Sequence, residues 1–262
     1  MPHTEPETEP SEPPEMLALP DGRRIAFHRS AGSGPGIVFL GGLRSDMTGT
    51  KAVWIEAWAR AAGRAFLRLD YTGHGASSGR FENGTVGGWA ADAEAAVERL
   101  TEGPVVLVGS SMGGWIALIL ARRLGRVAGL VGIAAAPDFT EDGMWAGFSP
   151  AERAALASEG HVTLPSGYSD APTIVTRRLI EDGRRHLVLR EALAMPFPVR
   201  LLHGTEDADV PVGTALRLME HADCADLRLT LVKGAGHRFS TPDCLVLIGA
   251  AVVEVSAAGS TR

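Results

Sequence analysis

The sequence predicts one α/β domain, a mostly parallel sheet covered by helices on both faces. Three observations predict it. From Leu17 onward, short β-branched runs alternate with longer stretches of helical spacing. The length, 262 residues with no internal repeat, suits a single domain of this class and is enough to bury a core without staples. In the middle of the chain an apolar run, Pro104-Val105-Val106-Leu107-Val108, meets a glycine-bounded turn and then a second apolar stretch of helical spacing.

Taken in order, residues 1–15 are rich in Pro, Glu and Thr, lack an apolar stretch, and read as a disordered acidic leader to a domain over 16–262. Runs at 17–19 and 24–28, parted by Pro20-Asp21-Gly22, form an opening hairpin. Buried strands are expected over 37–40, 65–69, 105–108, 127–134, 199–202 and 227–232, and helices over 50–62, 86–100, 113–124, 214–221 and 242–255. One segment, 138–196, is longer than a crossover needs and holds two helical stretches, 150–158 and 173–182. It reads as a small cap over the carboxyl edge of the sheet, where open α/β sheets bind ligands.

Composition narrows the function. Lys plus Arg number 25 against 31 Asp plus Glu, a net charge of -6 with no basic stripe, so nucleic acid is not an expected partner. No apolar stretch reaches the ~20 residues of a membrane span, and no secretory or mitochondrial presequence pattern opens the chain. The two cysteines, Cys224 and Cys244, lack a metal-ligand spacing and are too few for a disulfide framework, which leaves a single bond between them open. A reducing, cytoplasmic location is expected. The sequence sets no oligomeric state.

The turn after 104–108 reads Gly109-Ser110-Ser111-Met112-Gly113, a G-x-S-x-G pentapeptide between strand and helix. A serine on so tight a turn is held in strained backbone, and small residues two before and two after let strand and helix approach. Gly109 and Gly113 fill those places around Ser111; centring on Ser110 would put Val108 and Met112 there. Ser111 is therefore the candidate nucleophile. It needs a base and a carboxylate that fixes the base's tautomer, in the chain order Ser, acid, His. His237, in Gly236-His237-Arg238 after the last strand, is the candidate base, whereas His221 ends an amphipathic helix and reads as a surface residue. The acid falls in Thr205-Glu206-Asp207-Ala208-Asp209, with Asp207 preferred, Asp209 a rival, and Asp138 a third candidate after an earlier strand. Backbone N–H groups of Met112 and Leu43 are positioned as oxyanion donors, and Gly41 and Gly42 let the main chain come close to a substrate.

Arg44 reads as a solvated surface arginine or as a partner for an anionic substrate group, and Trp145, Phe148 and Met195 as the lining of an acyl pocket or as packing. Other residues read as structural: His74 within Gly73-His74-Gly75 as turn chemistry, His203 as a buried core histidine, Trp89 and Trp115 as core. Glycines 32, 34 and 36 precede their strand, which excludes a dinucleotide fingerprint, and neither metal nor cofactor is expected.

Over roughly 17–255 the chain resembles the α/β-hydrolases, and within them the branch containing α/β-hydrolase domain-containing protein ten, mitochondrial acyl-protein thioesterases and acyl-glucuronide esterases, with bacterial relatives. The stretches that carry the resemblance are Gly49-Thr50-Lys51-Ala52, Arg68-Leu69-Asp70-Tyr71-Thr72-Gly73, Gly109-Ser110-Ser111-Met112-Gly113-Gly114-Trp115 and Leu201-Leu202-His203-Gly204, with His237-Arg238. The resemblance implies a serine hydrolase of carboxylic esters or thioesters, with Ser111, Asp207 and His237 as triad and a small molecule or acylated protein as substrate. Cleavage of carbon–carbon bonds, perhydrolysis, or a non-catalytic binding role on the same fold stand as alternatives. The oxyanion loop, Gly41-Gly42-Leu43-Arg44, departs from the mitochondrial branch, as does the acidic leader.

Overall fold

A computed structural model describes residues 13–165 and 172–257 of the chain. In order they form β1 (Glu15–Ala18), β2 (Arg24–Ser30), β3 (Ser33–Leu40), α1 (Thr50–Ala61), β4 (Arg64–Leu69), α2 (Val86–Leu100), β5 (Val105–Ser110), α3 (Met112–Arg123), β6 (Val127–Ile133), α4 (Pro150–Ser158), β7 (His161–Leu164), β8 (Thr173–Thr176), α5 (Arg177–Gly183), β9 (Leu193–Ala194), β10 (Val199–Gly204), α6 (Val212–His221), β11 (Ala222–Asp223), β12 (Leu227–Val232) and α7 (Pro242–Ala257). One eight-stranded sheet has the order β1-β2-β4-β3-β5-β6-β10-β12. Its first two pairings, β1 with β2 and β2 with β4, are antiparallel, and the rest are parallel.

Parallel strands covered on both faces have no solvated side, so they read as continuous apolar runs. Successive residues serve opposite layers. Val38, Leu40, Leu67, Leu107, Leu130 and Leu201 pack under α2, α3 and the segment between β6 and β10. Ile37, Phe39, Phe66, Val106, Val108, Val131 and Leu202 pack under α1 and α7. Helix starts are fixed by local chemistry: Thr85 Oγ1 accepts Gly88 N–H at 3.1 Å, and Ser149 with Glu152 forms a capping box ahead of Pro150.

The long crossover from β6 to β10 contains a π-helical turn at Thr140–Trp145, α4, the antiparallel β7–β8 pair, α5 and a 3-10 turn at Arg184–His186. Asp138 anchors it. Fully buried with φ 58, it accepts Val188 N–H at 2.8 Å, Leu189 N–H at 3.0 Å and Arg190 Nη1 at 3.1 Å. Burial pushes the Asp138 carboxyl up against the pull of those donors.

Three expectations are corrected. The helix expected over 173–182 is a strand followed by a helix, because Thr173-Ile174-Val175-Thr176 is a run rich in β-branched residues that finds a partner in β7, and Thr176 Oγ1 then caps α5. Residues 1–12 of the expected leader lie outside the described residues, but Glu15, assigned to it, pairs with Phe27 as the first residue of β1. Gly34 and Gly36 lie within β3 rather than before it. Cys224 and Cys244 are both free thiols.

Candidate active site

β5 is buried throughout and ends at Ser110, so the next residue emerges at the carboxyl edge of the sheet with little room to turn. Ser111 makes the turn with φ 54 and ψ -120, a strained conformation for a residue with a side chain. Its backbone is fixed by the end of β6 and the loop after it: Ser111 N–H donates to Ile133 O at 2.9 Å, and its carbonyl accepts Gly114 N–H at 2.9 Å and Ala136 N–H at 3.0 Å. The flanking glycines are required by contact. A Cβ on Gly109 would meet Gly113 O at 2.3 Å, and one on Gly113 would meet Leu40 O at 2.0 Å.

The loops after β10 and β12 carry the other two groups and are stitched together. Thr205 N–H donates to Val232 O at 3.0 Å, Glu206 N–H to Ala235 O at 3.0 Å, and Gly234 N–H to Thr205 Oγ1 at 3.0 Å. Gly204 lies so close beneath Ala235 that a Cβ would stand 2.0 Å from its carbonyl oxygen. Asp207 turns its side chain inward, where it has no exposed surface, and its Oδ1 accepts the N–H groups of Asp209 at 3.0 Å and Val210 at 2.8 Å.

These loops bring the three residues together. His237 Nδ1 lies 3.0 Å from Asp207 Oδ1 and 2.9 Å from Oδ2, and His237 Nε2 lies 3.0 Å from Ser111 Oγ. A carboxylate only accepts, so the proton sits on Nδ1 and the Nε2 lone pair faces the Ser111 hydroxyl. That arrangement can receive the hydroxyl proton. Asp209 is exposed, and Asp138 is held in the crossover by Val188 and Leu189. His203 is 1 % exposed, with Nε2 at 2.9 Å from Val210 O and 3.5 Å from Asp207 Oδ2. Asp207, Asp209 and His237 also offer atoms within 4.8 Å of one another, a spacing that could hold a metal ion, but an ion there would take the Asp207–His237 contact apart.

The other candidates lie at differing depths. Gly42 is buried against the serine, its Cβ position 3.4 Å from Ser111 Cβ. Leu43 is partly buried, and Met112 opens α3, where an N–H has no carbonyl one turn earlier to bond. Arg44 is exposed, with Nη1 donating to Pro172 O at 3.0 Å and Thr173 Oγ1 at 3.2 Å and its guanidinium over Phe81. Trp145 is partly buried between the guanidinium groups of Arg153 and Arg184. Phe148 and Met195 are 7 % and 1 % exposed within the core, so in this conformation they offer packing rather than open surface. Two clefts, of about 580 and 320 Å³, lie apart from the serine; the smaller is bordered by Arg44, His74 and Phe81.

Lys51 contributes a contact that the sequence did not reveal. Its Nζ donates to Arg238 O at 2.5 Å, holding the residue after His237, and burial beside the Arg238 charge pushes its ammonium down to about 8. Its place in Gly49-Thr50-Lys51-Ala52 was the available signal.

Comparison with known proteins agrees with the architecture. The model of the Alpha/beta hydrolase family matches residues 37–246. Palmitoyl-protein thioesterase ABHD10, mitochondrial, of Bos taurus is 37% identical over 228 residues, covering 85% of this chain and 73% of the relative. The crystal structure of a putative hydrolase from Agrobacterium vitis S4 is 40% identical with a TM-score of 0.89, covering 94% of this chain and 100% of that one. Alpha/beta hydrolase domain-containing protein 10 from mouse is 31% identical with a TM-score of 0.84, covering 92% and 97%. The cytoplasmic location expected from the sequence is overturned, because the curated relatives are named mitochondrial. Scarce cysteine reports a reducing interior, which both compartments provide. Among the described residues no helix is long and apolar enough to cross a membrane.

Proposed function

The chain belongs to the alpha/beta hydrolase family, and on that premise we propose that Ser111, His237 and Asp207 are the triad of an enzyme that cleaves carboxylic esters or thioesters through an acyl-enzyme. One observation carries this reading: a serine in left-handed backbone at a strand-to-helix turn, 3.0 Å from an imidazole whose other nitrogen faces a buried carboxylate at 2.9 Å.

As Ser111 Oγ attacks the acyl carbon, its proton passes to His237 Nε2, and Asp207 holds the ring and stabilises the imidazolium. The N–H groups of Met112 and Leu43 stabilise the oxyanion, each contributing roughly 3 kcal/mol. The intermediate collapses as His237 returns the proton to the departing thiol or alcohol, and the same base then activates water to release the acid. Gly42, without a Cβ, admits the acyl carbonyl beside the serine, and Arg44 and Trp145 stand at the rim. The segment 138–196 serves as the cap. Relatives named palmitoyl-protein thioesterase favour an acylated protein or small acyl thioester as substrate.

The test compares kcat/KM for matched oxygen esters and thioesters carrying two- to sixteen-carbon acyl chains, with Ser111→Ala as blank. Turnover that vanishes in Ser111→Ala and is greatest for long-chain thioesters is expected. A preference for short oxygen esters would reassign the chain to small-molecule carboxylesterases, and activity surviving Ser111→Ala would overturn the triad.

A further inference from the structure

The loop after β3 carries the Leu43 N–H, and side chains at the end of β4 hold that loop from one side. Three consecutive peptides are each tied at one atom. Gly41 O accepts from Tyr71 Oη at 3.2 Å. Gly42 O, on the same peptide plane as the Leu43 N–H, accepts from Ser45 N–H at 3.2 Å. The Arg44 N–H, one peptide further, donates to His74 Nε2 at 3.1 Å. Beyond them, Met47 N–H donates to Asp70 Oδ1 at 2.6 Å and Met47 O accepts from Arg68 at 2.5 Å. The Leu43 N–H itself makes no hydrogen bond among the described residues.

Arg44 has φ 59, in the left-handed region that disfavours a residue with a side chain. A contact made only there must favour it. His74 is built for that contact. It is 4 % exposed and ringed edge-on by Tyr71, Phe81 and Trp89 at 5.6, 5.4 and 5.2 Å. Its Nδ1 faces Thr72 O at 3.4 Å and so carries the proton, which leaves the Nε2 lone pair for the amide. Burial, with a smaller push from the Arg44 charge, takes its imidazolium down to about 4, so the acceptor persists at neutral pH. The Gly73-His74-Gly75 segment does form the expected turn, with His74 N–H on Tyr71 O at 2.9 Å, but the ring reaches across to another loop.

We propose that His74 is a positioning residue for the oxyanion loop: its Nε2 accepts the Arg44 N–H and thereby orients the Leu43 amide toward the acyl oxygen on Ser111. The proposal rests on Leu43 as oxyanion donor. It predicts that acceptor chemistry at position 74, not ring packing, sets turnover.

Two substitutions separate those roles. His74→Phe keeps the ring among its aromatic neighbours and loses the acceptor, whereas His74→Gln loses the ring and can keep an oxygen near the Nε2 position. With the preferred ester, His74→Phe is expected to lower kcat about 10- to 100-fold with KM within about twofold, and His74→Gln to stay within about fivefold of the parent. The opposite ranking, or equal losses in both, would overturn the proposal. Thermal melting of each variant monitors folding. Should His74→Phe not fold, Tyr71→Phe removes a single hydroxyl from the same brace; a kcat about threefold lower at unchanged KM supports the proposal, and an unchanged kcat refutes it. Turnover that depends on Ser111 yet ignores these variants sinks this inference alone, whereas turnover independent of Ser111 sinks the triad.

Discussion

Asp207 and Asp209 stand two residues apart in one turn, and hydrogen bonding tells them apart. Asp207 Oδ1 takes the N–H groups of Asp209 and Val210, which points the carboxylate inward at His237, while Asp209 contributes its backbone and keeps an exposed side chain. Asp207→Asn is expected to lower kcat about 10⁴-fold, because an amide at that place favours the wrong imidazole tautomer. Asp209→Asn, which preserves the N–H, should stay within about threefold. Steady-state kinetics on both variants checks this, and a large loss at Asp209 alone would exchange their roles. The sequence favoured Asp207 but kept Asp209 as a rival, since side-chain direction in a tight turn depends on dihedrals that composition does not reveal. The Lys51 and His74 contacts were hidden for a related reason. Each joins a side chain to a backbone atom 187 or 30 residues away, and such bonds leave no periodic trace.

The strand, turn and helix around Ser111 follow from contact distances, and glycine at 113 is dictated by two carbonyls. A Cβ there would meet Leu40 O at 2.0 Å and Gly41 O at 2.6 Å, both backbone atoms of a central strand and its loop. Gly113→Ala is therefore expected to destabilise the fold by about 3 kcal/mol or more, a melting temperature lower by roughly 6–12 °C. Gly147→Ala, with open space around its Cβ position, should change it by less than about 3 °C. Calorimetry on the pair checks the contrast. Elements whose ends are set by their own side chains were legible: α2 and α4 begin and end at 86–100 and 150–158 as expected, at a Thr85 cap and a Ser149–Glu152 box. β7 and β8 were not, because four residues bounded by a crossover cannot be told from a helix start until the partner strand is known.

Across the whole molecule, stability and acidity are coupled through a histidine that stays neutral inside. Burial sets His74 to about 4 in the fold, against 6.5 for a free imidazole, and pushes His28 and His186 downward as well. Between pH 6.5 and 4 the unfolded chain takes up a proton that the folded one refuses, so this contribution is complete above pH 6.5 and is lost as the pH falls. For His74 it amounts to about 3 kcal/mol across the window. Urea unfolding at pH 7 and 4.5 should show a drop that is smaller by about 2–3 kcal/mol in His74→Gln; equal drops in the two proteins would contradict it. Sheet order has a consequence in time. Ser111 is the first of its set to leave the ribosome and His237 the last, 126 residues later. At roughly 5–20 residues per second, a nascent chain carries its proposed nucleophile for about 6–25 s before its proposed base is made. On the proposed triad, hydrolytic power switches on only once β12 and the loop after it have been made, and a chain stopped short of them cannot attack acyl groups around it.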